Sequence, residues 1–309
     1  MKTMPKRLVG CDLIGLAAQN PETFVALCEK NYQERVERLA RAILDSGCHI
    51  VMLTGPSATG KTTSSHKLAR EIRRQQRKST VLSLDDFFIG EGKYPKRNDG
   101  TDDYECVEAL DLPELRRCLK ELDAAGCCEA PVFDFVTQLP SGTQYVDCRG
   151  GVVIVEGLHA LNPILTEHLE RGKVFNVYAS LREEYTGSDG ARCVATRDIR
   201  LARRMIRDYR TRGHAPGETL DMWPHVCEGE KRYIQVFQNR ADAILDTTHS
   251  YEVCLWARQL AAIRNDLDYT DPDTPLFVAL CEKMSHFPPL PDSLVPADSM
   301  LREFITPEQ

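Results

Sequence analysis

Residues 55–62 read Gly-Pro-Ser-Ala-Thr-Gly-Lys-Thr and fit the pattern G-x-x-x-x-G-K-[ST] without a mismatch. In such a loop the glycines let successive backbone N–H groups turn inward around phosphate oxygens. The lysine, here Lys61, reaches the outer phosphates, and the hydroxyl of Thr62 sits on Mg²⁺. A chain of this length meets the pattern by chance with a probability on the order of one percent. The flanks sharpen the reading: His49–Thr54 (HIVMLT) has the pattern of a buried strand, and Thr62–Gln76, carrying Lys67, Leu68, Ala69 and Ile72, that of a helix. Gly55, Ser57, Ala58, Thr59, Gly60, Lys61, Thr62 and Thr63 are therefore the predicted cradle for the phosphates of a nucleotide.

Outward from the loop, Thr80–Leu84, Val152–Val155, Val174–Ala179 and Ala243–Leu245 read as further strands. Helical stretches lie at Pro113–Ala125, Asp198–Arg212, Glu230–Arg240 and Tyr251–Arg264. Strands alternating with helices of this length predict an α/β fold, a parallel sheet with helices on both faces. Asn20-Pro21-Glu22 is a helix start, and Val36, Leu39, Ala40, Ile43 and Leu44 form the apolar stripe of a helix over Tyr32–Asp45. The expected organisation is a helical lead-in (1–48), one domain (49–264) and an extension (265–309) lying outside the sheet. The extension is marked by Asp266, Asp268, Asp271 and Asp273 and by Pro288, Pro289 and Pro291.

Composition bounds the function class. With 309 residues, 42% of them hydrophobic and 28% charged, the chain builds a real core and is not disordered. No apolar run approaches the ~20 residues of a membrane helix. Leu8–Ala18 after Lys2, Lys6 and Arg7 faintly imitates a leader, but Asp12 interrupts it. The twelve cysteines include no C-x-x-C, and no two histidines lie within five positions, so neither a zinc site nor a disulfide scaffold is expected. The thiols read as reduced, in a cytoplasmic protein. A formal net charge of -7 argues against a nucleic-acid partner bound by bulk charge. A homo-oligomer is compatible with all of this.

The nucleotide machine is narrowed by what does not follow the cradle. There is no Asn-Lys pair for a GTPase, Asp12–Gly15 fits D-x-x-G only upstream, and no L-S-G-G-Q-like stretch occurs. The Val152–Val155 strand ends in Glu156-Gly157, not in the Asp-Glu of a motor ATPase. A small-molecule kinase remains. Strand Thr80–Leu84 runs into Asp85-Asp86-Phe87-Phe88, and the carboxyl ends of parallel strands face the ligand crevice. A carboxylate there accepts the proton of an attacking hydroxyl or holds the metal, and Glu156 is placed to complete the metal shell. Arg200, Arg203, Arg204 and Arg207 share one helix face, opposite Leu201, Met205 and Tyr209. Their mutual repulsion costs roughly 1–2 kcal/mol, and the stripe itself contains no acid. An anionic ligand would turn that cost into stabilisation of transferring phosphate. Arg210-Thr211-Arg212-Gly213 follows as a hinge, so the stripe reads as part of a closing lid. A second stripe, Lys67, Arg70, Arg73, Arg74, Arg77 and Lys78, reads as a solvated face.

In ordered segments the chain resembles the uridine kinase and phosphoribulokinase family of P-loop kinases. They are GPSATGKTT, LSLDDFF, DYECVEALDL, PVFDFVT, VVIVEGLHALNP, RLARRMIRDYRTRG and the late PADSMLREFI. It is most similar to the uridine kinase-like branch that often carries a threonyl-tRNA-synthetase-like N-terminal region. Only 48 residues precede the core, so an RNA-related role is not carried over. The resemblance implies ATP and Mg²⁺ and a nucleoside acceptor phosphorylated on its 5′-hydroxyl. It makes Asp85 the general base, with Thr62, Asp85 and Glu156 around the metal. Arg200 would contact the acceptor, and Arg203, Arg207 and Arg212 the ATP phosphates, with Lys61 and Arg203 sharing in catalysis. Glu105 stands where an aspartate usually grips the ribose, Phe133 where a tyrosine often lies beside the base, and Gln138 where a histidine faces the pyrimidine. A pantothenate- or sugar-phosphate-type kinase is the nearest alternative, though Asp103, Glu105 and Glu108 make the acceptor side acidic. A non-catalytic ATP-sensing regulator would be expected to lack the base or the lid arginines, and both are present.

Overall fold

The computed structural model describes residues 5–97, 100–169, 173–267 and 274–305. Strand β1 (Arg7–Gly10) leads into α1 (Cys11–Ala17) and then α2 (Pro21–Ser46), one long helix that begins at the expected Asn20-Pro21 and absorbs the predicted Tyr32–Asp45 segment. Its apolar stripe, Val25 to Ile43, is buried, and Gly47 ends it in the left-handed region at φ 72°. There follow β2 (Ile50–Thr54), α3 (Lys61–Arg74), β3 (Ser79–Ser83), α4 (Leu112–Ala125), β4 (Cys127–Asp134), β5 (Leu139–Asp147), β6 (Val152–Glu156) and the one-turn α5 (Pro163–Thr166). The chain continues through β7 (Val174–Ser180), β8 (Glu183–Thr186), β9 (Arg192–Val194), α6 (Thr196–Arg212), α7 (Pro216–Gly229), β10 (Ala243–Asp246), α8 (Val253–Ile263) and α9 (Thr274–Met284).

Five strands form one parallel sheet in the order β10-β7-β2-β6-β3. Their near-continuous apolar sequences are explained by burial on both faces. Val51 and Leu53 of β2, with Val152 and Ile154 of β6, face a core built on α2, α3, α6 and α8. Ile50 and Met52, with Val153 and Val155, face a second core against α4 and the β4–β5 hairpin. The alternation fixes register, because a one-residue slip would exchange the two faces.

Three features depart from the sequence expectation. The β4–β5 hairpin is unexpected, since Pro131, Pro140 and Gly142 interrupt it and β5 is almost wholly exposed. A second small sheet, β1-β8-β9, ties the N-terminus to the segment before α6. Finally, the predicted helix Glu230–Arg240 is a π-helical turn (Glu230–Ile234) followed by a 3-10 turn (Gln235–Arg240), and α7 precedes it.

The C-terminal extension stays outside the sheet among the described residues. Its Phe287, Leu290, Met300, Leu301, Phe304 and Ile305 nonetheless join the same core as α2, α3, α6 and α8. Asp268, Asp271 and Asp273 lie outside the described residues. All twelve cysteines are free thiols, buried or half-buried. Among the described residues no helix is long and apolar enough to cross a membrane.

Candidate active site

The cradle leaves the carboxyl end of β2 pressed against β7. A Cβ on Gly55 would lie 2.2 Å from the Ala179 carbonyl oxygen, so only glycine lets the loop turn there. Ala58 takes a left-handed φ of 59°, and Gly60 one of 76° as the N-cap of α3. Three cationic side chains hold carbonyls of the turn. Lys61 Nζ donates to the Pro56 carbonyl at 3.3 Å, Arg200 Nε to Ser57 O at 2.9 Å and Arg203 Nη1 to Ala58 O at 3.2 Å. Among the described residues, none of the N–H groups of residues 57–60 donates to a protein acceptor. The Thr59 hydroxyl closes the turn by donating to Pro56 O at 2.8 Å.

The acids assemble at the ends of neighbouring strands. Register pairs Glu156 with Leu53 of β2 on one side and Ser83 of β3 on the other, which places it beneath the cradle. Thr62 Oγ1 donates to Glu156 Oε1 at 3.1 Å and Ser83 Oγ to the same oxygen at 3.4 Å. Burial and the nearby Asp85 charge push the Glu156 carboxyl up to about 7, against Lys61 and Thr62. Asp85 begins the 3-10 turn Leu84–Phe87, with its N–H donating to Ser83 Oγ at 3.2 Å. Solvent reaches its side chain, yet the protein packed around it raises its pKa, while Lys61 and Arg212 pull it down. Asp86 turns the other way, its carboxylate accepting from the Phe133 N–H and from Gln144 Nε2, each at 3.3 Å, and so pins the hairpin. Lys61 itself is shifted down by burial, with Glu156, Asp85 and Glu303 opposing the shift.

The arginine stripe is not free of acids. Asp208, fully buried on α6, pairs with Arg204 at 3.2 Å, Arg207 at 2.8 Å and Arg212 at 3.4 Å, which offsets the expected repulsion within the helix. Arg200 pairs with Glu230 at 2.5 Å, and Arg203, 0% exposed, with Glu252 at 2.6 and 2.8 Å. The expectation that Arg200 touches the acceptor and Arg203 the phosphates therefore meets an obstacle. Both guanidinium groups are buried, ion-paired and already donating to carbonyls of the loop. Arg204 and Arg207 lie half-buried, Arg204 donating to Ser57 Oγ at 2.9 Å, while Arg212 is 52% exposed and faces Asp85 electrostatically.

On the acceptor side Glu105 is raised by burial and drawn down by Arg204, Lys61 and Arg97. A Cβ on Gly229 would come within 2.9 Å of Glu105 Cβ, so the π-helical turn starting at Glu230 brings α7 hard against this loop. Here opens a cavity of about 360 Å³ lined by Lys96, Arg97, Asp103, Glu105, Arg232 and Tyr233. The lining is mixed rather than simply acidic: Glu228 joins Asp103 and Glu105 against Lys96, Arg97 and Arg232, and Glu108 is exposed outside it. Phe133, 4% exposed, packs on Phe88 at 5.7 Å and Phe135 at 5.2 Å, and Phe88 continues to Tyr94 at 6.0 Å. Gln138 is not drawn into this cluster. It occupies the exposed hairpin turn at φ 57° and spends its amide on the Phe135 carbonyl at 2.9 Å.

Sequence reasoning missed Asp208, Glu230 and Glu252 as partners of the stripe and Glu303 beside the cradle. Asp208 and Glu303 had a signal, their places in the RLARRMIRDYRTRG and PADSMLREFI segments; Glu230 and Glu252 had none.

The donor set fits Mg²⁺. Thr62, Ser83, Asp85 and Glu156 offer hydroxyl and carboxylate oxygens and no softer ligand. Among the described residues no group of three or more His, Cys, Asp and Glu is placed to hold a metal. Mg²⁺ is commonly held by one or two carboxylates together with substrate phosphates.

Residues 50–169 match the profile of the Phosphoribulokinase / Uridine kinase family. A uridine kinase of Lactobacillus helveticus is 24% identical over 195 residues, covering 60% of this chain and 84% of that one. A uridine kinase of Deinococcus deserti is 23% identical over 197 residues, covering 63% and 86%. Among solved structures, a possible uridine kinase from Bacillus stearothermophilus superposes with a TM-score of 0.48 at 19% identity, covering 69% of this chain and 98% of that one.

Proposed function

We propose that this chain transfers the γ-phosphoryl group of ATP to the 5′-hydroxyl of a nucleoside, a reading supported by the match of residues 50–169 to the Phosphoribulokinase / Uridine kinase family profile and by the similarity to uridine kinases. The observation that carries the reading is Asp85, just past the carboxyl end of β3 beside Glu156 at the end of β6, in the electrostatic field of Lys61 and Arg212. The acceptor oxygen attacks the γ-phosphorus in line, its proton passes to the Asp85 carboxylate, and the bond from the γ-phosphorus to the bridging oxygen breaks to leave ADP. Lys61, Arg207 and Arg212 neutralise charge on the transferring group. Arg200 and Arg203 act from behind, fixing the carbonyls of Ser57 and Ala58. Thr62, Asp85 and Glu156 would hold Mg²⁺, which would supply charge neutralisation for the transferring phosphate. Glu105 and Asp103 accept hydrogen bonds from the ribose hydroxyls, and the Phe88–Phe133–Tyr94 cluster offers an aromatic wall for a base.

Lys96, Arg97 and Arg232 in the same cavity favour one other reading, an acceptor that already carries a phosphate or carboxylate. ADP release measured over uridine, cytidine, pantothenate and ribulose 5-phosphate separates the two. The nucleosides are expected to lead, and preference for an anionic acceptor overturns the primary reading.

A further inference from the structure

The last described segment of the chain reaches back to the phosphate cradle. Met300, 0% exposed, lies so close over the loop that a Cβ on Gly60 would sit 2.3 Å from its sulfur. Three residues on, Glu303 Oε2 accepts a hydrogen bond from the Thr63 hydroxyl at 2.7 Å, in the first turn of α3. Phe304 lies under the guanidinium of Arg203, 5.0 Å from ring centroid to Cζ, and Arg203 in turn holds the Ala58 carbonyl. Contacts from one short stretch thus converge on three positions of the cradle: Ala58, Gly60 and Thr63.

The stretch is itself anchored. The Ser299 hydroxyl donates to Glu29 of α2, which also accepts from the Tyr251 hydroxyl at 2.6 Å, and Leu301, Phe304 and Ile305 are buried in the core shared with α2 and α3. A flexible tail would not sacrifice the side-chain entropy of a methionine and a glutamate to meet a glycine-rich loop. A loop whose peptide N–H groups must already point inward gains from an outer brace, because the ordering cost is met before the ligand arrives.

We propose that Ser299–Ile305 is a clamp that presets the phosphate cradle, with Glu303 a positioning residue that acts through Thr63. The proposal rests on the nucleotide-binding reading of the cradle, but on no particular acceptor. The hydrogen bond, rather than the charge, is the working part. A carboxylate this near the phosphates would by charge alone weaken nucleotide binding, so the two contributions have opposite signs.

The test uses the full chain with Glu303→Ala, Glu303→Gln, Thr63→Val and the Thr63→Val/Glu303→Ala double variant. MgATP affinity is measured by calorimetry, steady-state kinetics are run with the best acceptor, and melting temperature is followed throughout. Glu303 and Thr63 are half-buried, so these variants are expected to fold. Glu303→Ala should weaken MgATP binding and raise KM for ATP about fivefold, within what one hydrogen bond to a charged group can carry, with kcat changed less than about twofold. Glu303→Gln keeps an acceptor oxygen and should return affinity to within about twofold of the parent. The double variant should be no weaker than Thr63→Val alone. Unchanged affinity in Glu303→Ala overturns the clamp, as does tighter binding in both Glu303 variants or failure of Glu303→Gln to rescue. A parent chain that binds no MgATP overturns the nucleotide reading and the clamp with it.

Discussion

Replacing Arg203 with methionine separates the two places this residue could act. It is 0% exposed, donates twice to Glu252 at 2.6 and 2.8 Å, and also donates to the carbonyls of Ala58 and Thr247, each at 3.2 Å. Methionine preserves much of the apolar stem but leaves Glu252, also 0% exposed, with the His249 N–H at 3.2 Å as its remaining hydrogen-bond donor among these contacts. Removing one partner of a buried ion pair costs about 3–5 kcal/mol, most of it the uncompensated charge. For a domain of this size that lowers the melting temperature by about 10 °C. Neutralising the stranded acid in Arg203→Met/Glu252→Gln should recover at least half of the loss. The assay is thermal unfolding by circular dichroism, with MgATP titrations well below the transition, where affinity should fall only about tenfold because Ala58 loses an outer anchor. A melting temperature within about 2 °C of the parent, together with near-complete loss of nucleotide affinity, would refute the reasoning. Arg203 would then be touching phosphate directly.

Three further outcomes follow from the same geometry. Gly55→Ala forces a Cβ into the Ala179 carbonyl and should abolish nucleotide binding or soluble folding, whereas Gly15→Ala, which meets open space, should leave both intact in a direct comparison. Burial pushes the Glu29 carboxyl up, but His249, Ser299 and Tyr251 outweigh it and hold the acid down at about 2. Because the folded value is the lower one, its stabilisation is present above the ordinary value of 4.5 and is lost as pH falls toward about 2. Denaturant unfolding at about pH 5 and about pH 3 should show a loss of about 2 kcal/mol that Glu29→Gln largely removes. Glu105→Gln should raise KM for the acceptor about tenfold while leaving KM for ATP nearly unchanged, and an effect on ATP alone would move Glu105 out of the acceptor subsite.

The parallel sheet was legible because its central strands β2 and β6 are buried on both faces, so runs such as Val152–Val155 needed no partner to be recognised. The hairpin was not, because β5 is solvent-exposed and carries proline and glycine, and nothing in its sequence marks an apolar face. The glycine turn was legible at Gly55 and Gly60, where backbone geometry demands glycine. The arginine stripe was legible as a stripe but not as a set of roles. Helical spacing shows which side chains share a face, and the acids that claim them come partly from elsewhere. Asp208 lies one residue past the counted stripe, Glu230 follows α7, and Glu252 precedes α8. The reach of the C-terminal segment was hidden for a related reason. Its contacts with Gly60 and Thr63 cross about 240 positions of sequence, where no periodicity operates.

The central claim is that Asp85 takes the proton of a nucleoside 5′-hydroxyl as phosphate is transferred from ATP. The most direct measurement is the initial rate of MgATP-dependent formation of uridine 5′-monophosphate, taken side by side for the parent chain and Asp85→Asn, with MgATP affinity measured for both. The account predicts turnover by the parent and a loss of at least about a hundredfold in Asp85→Asn, with nucleotide binding retained. Equal rates in the two proteins would contradict it.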